Sequence, residues 1–229
     1  MSQSFVPHWL IEQHRADRLL CLVLDSQNER DMRQRWLKSS RYEQYASVYG
    51  ETVVAELADT GPFLFTFDQP DDRRLDALLD RPDSHWGWLA SLGQGELKAW
   101  VRHWQERLLV GTRPHQALYR FHDNRVLARA LEHLPVEALP AYLGPAISVC
   151  YWQGSHWQST DNPAPGTNPL PDSPPWRFVW PMPTVFCWPS MWRPTPGWRA
   201  RRTRTSGYAS DWHRPKPGAG WRRSGWNFC

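Results

Sequence analysis

The sequence predicts an α/β fold: a central mixed sheet of about five strands with flanking helices, followed by a Pro/Trp/Arg-rich tail that reads as disordered. Three observations carry this. Short apolar runs of strand length alternate with segments whose apolar residues recur every three or four positions. The 229 residues are enough to bury one sizeable core. The composition then changes abruptly from Asp161 onward.

The elements follow in order. Residues 1–18 read as an opening helix carrying Trp9 and Leu10. Leu19-Leu20-Cys21-Leu22-Val23-Leu24 is a continuous apolar run ended by Asp25-Ser26, the pattern of a strand covered on both faces. A helix follows through Met32, Trp36 and Leu37. Tyr42 to Gly50 is an aromatic loop, and Thr52 to Ala58 a turn or short helix broken by Gly61-Pro62. Phe63 to Phe67 is the second strand, Arg73 to Leu79 a helix, and Trp86 to Leu92 the third strand. Glu96 to Val110 is strongly amphipathic, with Leu97, Trp100, Val101, Trp104 and Leu108 at helical spacing. Ala117 to Phe121 alternates as a fourth strand. Helices over Arg125 to Leu134 and Val136 to Leu143 are separated by Pro135, and Ala146 to Trp152 is the fifth strand.

Residues 1–160 therefore form the α/β body, 161–175 a Pro-rich connector, and 176–229 a basic tail. The net charge of +4 is unevenly spread. The tail holds ten Lys/Arg and one acid, and the other 17 bases and 22 acids leave the preceding 175 residues at −5. The tail contains eight Trp, seven Pro and nine Arg, but no Leu, Ile or Glu, which is foreign to natural cores. Two readings fit it. The better is a frameshift near Val179, because Trp-Arg-Pro and Trp-Arg-Arg runs are what a GC-rich gene yields out of frame. The other is a selected Arg/Trp tail for nucleic acid or membrane, since Arg pairs phosphate and Trp stacks on bases.

No apolar run has signal-peptide or transmembrane length; Leu19 to Leu24 is too short and too far in. A cytoplasmic location with no membrane partner is expected. Cys21 and Cys150 fall in apolar runs and read as buried hydrophobes. With Cys187 and Cys229 they show no metal-knuckle spacing, which fits a reducing compartment.

The most informative stretch is Tyr119-Arg120-Phe121-His122-Asp123-Asn124-Arg125-Val126-Leu127, read as strand, charged corner and helix. Arg120, Asp123 and Arg125 stand where a strand end meets a helix start, a place where α/β sheets put ligand and partner contacts. The same residues also read as a salt bridge plus helix cap holding the corner. His122-Asp123 is a poor general-base pair, because neighbours on a strand point to opposite faces. Gly93-Gln94-Gly95 lies between a strand and a helix, but a dinucleotide fingerprint would need glycine where Lys98 stands, so a tight turn explains it better. No Gly-x-Ser-x-Gly elbow or His-x-x-x-His spacing occurs. No catalytic residue, metal site or cofactor is expected. Trp86, Trp88, Trp100 and Trp104 read as core and near-core; the alternative is that one or two of them face a partner, where Trp is favoured as an anchor.

An ordered set of motifs adds to this. Tyr45-Ala46-Ser47-Val48-Tyr49-Gly50, then Leu57-Ala58 with Gly61-Pro62-Phe63-Leu64, Trp86-Gly87-Trp88-Leu89, the nonapeptide corner, and Tyr142-Leu143-Gly144-Pro145 together resemble the adaptor/chaperone domain of type VI secretion effectors, domain of unknown function 4123. The resemblance covers roughly Leu19 to Asp172. One departure is Asp123-Asn124-Arg125, where that family usually has Asp-Pro-Arg. The resemblance implies a protein that is not an enzyme. It would hold a secreted toxin effector in the bacterial cytoplasm and load it onto the VgrG spike protein. The corner residues Arg120, Asp123 and Arg125 and the surface aromatics Tyr42, Tyr45 and Tyr49 are the expected partner-binding residues. The alternatives are a small α/β enzyme binding a phosphorylated ligand near Gly93 and Arg120, and nucleic-acid binding through the tail, the latter not favoured.

Overall fold

The apolar run Leu19–Leu24 forms β1, at the heart of a six-stranded sheet. In the computed structural model, which describes residues 5–111, 116–166 and the backbone of 186–187, β1 lies between β3 (Phe63–Phe67) and β4 (Gly87–Leu92). Successive side chains alternate between the two faces. Cys21 and Val23 enter one core, and Leu20, Leu22 and Leu24 the other. This is why the run has no polar residue: both faces are covered by helices.

Beyond β3 lies the edge strand β2 (Tyr45–Ser47). Beyond β4 come β7 (Ala146–Trp152) and then β8 (Trp157–Asp161), giving the order β2-β3-β1-β4-β7-β8. The α/β class is as expected, but every pairing in this sheet is antiparallel where a mixed sheet was anticipated. Gly87 opens β4 at φ 133°, with its Cα so close to Val23 O that a Cβ would fall 1.9 Å from it. Only glycine permits that approach.

One face carries α1 (Phe5–Arg15), α2 (Arg30–Ser39) and α3 (Asp76–Leu79). They contribute Trp9, Trp36 and Leu78 to the core that also contains Trp86 and Trp157. The other face carries α4 (Leu97–Glu106), α5 (Asn124–His133) and α6 (Leu139–Leu143). There Trp88 meets Trp100 and Trp104 edge-on, and Trp104 stacks on Phe121 at 4.2 Å between centroids. Trp86, Trp88, Trp100 and Trp104 are all buried, as the sequence indicates.

Two expectations are corrected. Helix α4 ends at Glu106 rather than Val110, because Arg107 turns back into the core. Its Nε donates to Ala141 O at 3.2 Å and its Nη1 to His103 O at 2.9 Å. The freed Leu109–Val110 becomes β5, which pairs with β6, Ala117–Leu118. The segment expected as a fourth strand of the main sheet thus contributes two residues to a separate small sheet. Phe186–Cys187 adds backbone pairing to β6 as β9.

The body also reaches past residue 160. β8 runs to Asp161, and the buried Asn162 donates through its side-chain amide to Gly144 O (2.9 Å) and Ala146 O (2.8 Å). The start of the Pro-rich connector is therefore tied to the sheet. Apart from residues 162–166 and the backbone of Phe186–Cys187, the readings made for the connector and for the tail, frameshift included, lie outside the described residues. Among the described residues, no helix is long and apolar enough to cross a membrane.

Candidate functional site

The end of β1 and the start of α5 meet in a buried charged corner. Asp25 immediately follows β1, and its backbone N–H donates to Trp86 O at 2.7 Å. Its carboxylate accepts from Gln27 N (3.0 Å), Asn28 Nδ2 (3.2 Å) and Arg120 Nη2 (3.1 Å). The carboxylate is buried, so these donors replace the water it has lost.

The facing segment is held from below. Trp88 Nε1 donates to Phe121 O at 3.0 Å, and the Tyr119 and Tyr142 hydroxyls are 2.9 Å apart. A turn closed by Asp123 N–H to Arg120 O then leads into α5. Asp123 caps that helix by accepting from Arg125 N at 3.0 Å. It also takes a forked contact from the Arg125 guanidinium, Nε at 3.0 Å and Nη2 at 2.7 Å. Arg120 completes the cluster, with Nη2 3.9 Å from Asp123 Oδ2.

The protonation states follow from this packing. Burial pushes the Asp123 carboxyl up, but the hydrogen bonds and charge of Arg125, helped by Arg120, outweigh it and hold the group below the usual carboxylate range. The hydrogen bond to Asp123 raises Arg125. Burial drives His122 down to about 4 despite the Asp25 carboxylate 4.0 Å from its Nε2, so the imidazole is neutral at pH 7. His122 is packed edge-on against Tyr49 and Phe121, and its Nδ1 has no hydrogen-bond partner.

The predicted partner residues fall into four groups. Arg125 is half-exposed, and Arg120 shows a thin exposed margin beside it. Asp123 is buried and acts as cap and counter-ion, so it orients Arg125 and presents nothing itself. Tyr42 is 85% exposed and meets Tyr45 edge-on at 6.0 Å, next to the β2 edge. Tyr49 corrects the expectation: it is a core residue, 4% exposed, pressed under Gly61, where a Cβ would lie 2.3 Å from its ring. The structure does not bring the two tyrosines together with the arginines into one cluster.

Gly93 and Arg120 are not neighbours either. β1 and β4 run antiparallel, with Leu24 opposite Gly87 and Leu19 opposite Leu92. Asp25 and its partner Arg120 therefore stand at one end of the sheet and Gly93 at the other, about 17 Å of strand away. Gly95 takes φ 79° in a turn, and Gln94 donates to Asp17 O at 3.1 Å. The motif is a tight turn that connects β4 to the start of α4 and is tied by Gln94 to the turn after α1. Cys21 and Cys150 are buried free thiols, both pushed up by burial. Among the described residues no group of three His, Cys, Asp or Glu could hold a metal.

Sequence reasoning missed Asp25 as the counter-ion of Arg120. It also missed Asn124, whose Nδ2 donates to Trp152 O at 2.8 Å while its Oδ1 meets His85 Nδ1 at 3.1 Å. The only local signal for Asp25 was an acid closing an apolar strand.

A family model described as a domain of unknown function (DUF4123) matches residues 20–141, more than half of the chain. The chain belongs to this DUF4123 family. The match runs from β1 into α6 and takes in the whole charged corner. No curated protein and no solved structure matches the sequence.

Proposed function

We propose that this DUF4123 protein is not an enzyme but an adaptor/chaperone, which binds a type VI secretion effector in the bacterial cytoplasm and loads it onto the VgrG spike protein. The observation that carries the reading is the family match over residues 20–141. It contains most of the ordered motifs whose combination resembles effector adaptors.

The geometry favours recognition over turnover. At the corner, Asp25 and Asp123 are consumed in holding Arg120 and Arg125. Arg125 keeps part of its donor fork turned to solvent, a fixed shape suited to a partner carboxylate or backbone carbonyl. Tyr42 supplies an exposed aromatic anchor elsewhere on the body, and such rings are favoured at interfaces because they bury much area at little entropic cost.

The test is co-expression of the tagged full chain with a VgrG spike protein and a candidate type VI toxin effector. Both should co-purify with the wild-type chain, and Arg125→Glu, at a half-exposed position, should lose one of them while staying folded. Retention of neither by a soluble, folded wild-type chain would sink the proposal.

A further inference from the structure

At the β8 side of the sheet, α1, α3 and the β7–β8 hairpin enclose a groove of about 500 Å³. Leu79, Pro82, Trp152 and Trp157 give it an apolar lining. Asp76 and Asp80 stand on its rim one helical turn apart, both exposed. Neither has an ion-pair partner among the described residues.

The indoles are fixed in place. Trp157 packs on Trp86 at 6.0 Å between centroids and on Trp152 at 5.6 Å. Trp152 is held at both ends: its Nε1 donates to Asp83 Oδ1 at 2.8 Å, and its carbonyl accepts from Asn124. The groove is thus a rigid aromatic surface with unspent negative charge beside it.

We propose that this groove docks an arginine-bearing apolar segment of a partner protein, with the guanidinium lying along Trp152 and its charge facing Asp76 and Asp80. A planar guanidinium is weakly hydrated, stacks on indole faces and pairs with carboxylates, so one side chain satisfies both features of the site. Its aliphatic neighbours would cover Leu79 and Pro82. The same carboxylates repel nucleic-acid phosphates and acidic peptides. The α/β body of a second copy is a poor occupant, because residues 1–175 carry a net charge of −5 and two such bodies repel. The groove differs in chemistry from the cationic corner, so the two would select different partners. This assignment does not depend on the adaptor reading.

The experiment is fluorescence anisotropy of the peptide fluorescein-Gly-Leu-Arg-Trp-Leu-Arg-Leu-Gly titrated with the full chain. Saturable binding is expected, and it should weaken as salt rises. The same peptide with both Arg replaced by Glu should not bind. In the chain, Asp76→Lys with Asp80→Lys should weaken binding about tenfold or more. Asp31→Lys with Glu137→Lys, an equal charge change at exposed positions elsewhere, should leave it within about twofold. Circular dichroism melting confirms that each variant is folded. Binding that ignores the Asp76/Asp80 pair, or that accepts the Glu peptide equally well, would overturn the proposal. So would a dimer of the chain that the same double substitution dissociates, because that assigns the groove to a second copy. Success here with failure of the spike and effector pull-down would retain the groove and reject the adaptor; the reverse would do the opposite.

Discussion

The corner at Asp25, Asp123 and Arg120 and the groove at Asp76 and Asp80 use the same residue types to opposite ends. In the corner the carboxylates are buried, and each is matched by N–H donors and guanidinium groups of the same chain. In the groove the carboxylates are exposed and have no ion-pair partner among the described residues, while the aromatic rings beside them are locked. The difference teaches where charge is available for recognition. A buried charge must be satisfied within the fold or the fold is lost. An exposed charge costs little to leave unpaired and can be given to a partner.

The largest effect expected from this contrast is on stability. Asp25→Ala removes the acceptor for Arg120, Asn28 and Gln27, and should destabilise the protein by about 3–5 kcal/mol in chemical denaturation. Asp80→Ala should stay within about 0.5 kcal/mol. Equal losses would break the comparison.

Acid should separate the two regions next. His122 is lowered from 6.5 to about 4 and His103, buried beside Arg107, to about 3. Between pH 6.5 and 4 the unfolded chain binds protons that the folded chain refuses. Stability present above pH 6.5 is therefore lost as pH falls through that window, by about 1.4 kcal/mol per pH unit for each histidine. His122→Gln should remove one share of that slope, read from denaturation curves at pH 5 and 6. A slope unchanged by the substitution would show that His122 is not held neutral.

Asp123→Asn keeps a side-chain oxygen to cap α5 but discharges the fork with Arg125. A loss of about 1–2 kcal/mol in thermal melting is expected, smaller than for Asp123→Ala, which removes the cap as well. Equal losses for the two variants would mean that the cap contributes nothing. The smallest stability effect belongs to Tyr42→Ala. At 85% exposure it should leave the melting temperature within about 1 °C, while weakening partner retention in the pull-down. Unchanged retention would remove Tyr42 from the interface.

The contrast also explains what could be read from sequence. β1, β3 and β7 stand at the bounds their apolar runs set, because a strand buried on both faces leaves no freedom to its composition. β8 went unseen because it is an edge strand with only Trp157 buried, and its Gln-Ser-Thr-Asp remainder looks like a loop. The three residues of β2 are too few to alternate legibly. A cap for α5 at Asp123 or Asn124 could be anticipated, and it is Asp123, whose partner is two residues away. Asp25 could not be anticipated as the partner of Arg120, since the pair is 95 positions apart and only the fold brings it together. Tyr49 was mistaken for a surface ring because the glycine that makes room for it, Gly61, is twelve residues downstream.

The most direct test of the proposed adaptor role is a three-way co-purification of the full chain with a candidate type VI effector and a VgrG spike, repeated with Arg125→Glu and with Asp76→Lys/Asp80→Lys. The account expects the wild-type chain to retain both partners, and each variant to lose a different one while keeping the other. If the folded wild-type chain retained neither partner, or if both variants retained both at wild-type levels, the account of the corner and groove as two distinct docking surfaces of an adaptor would be contradicted.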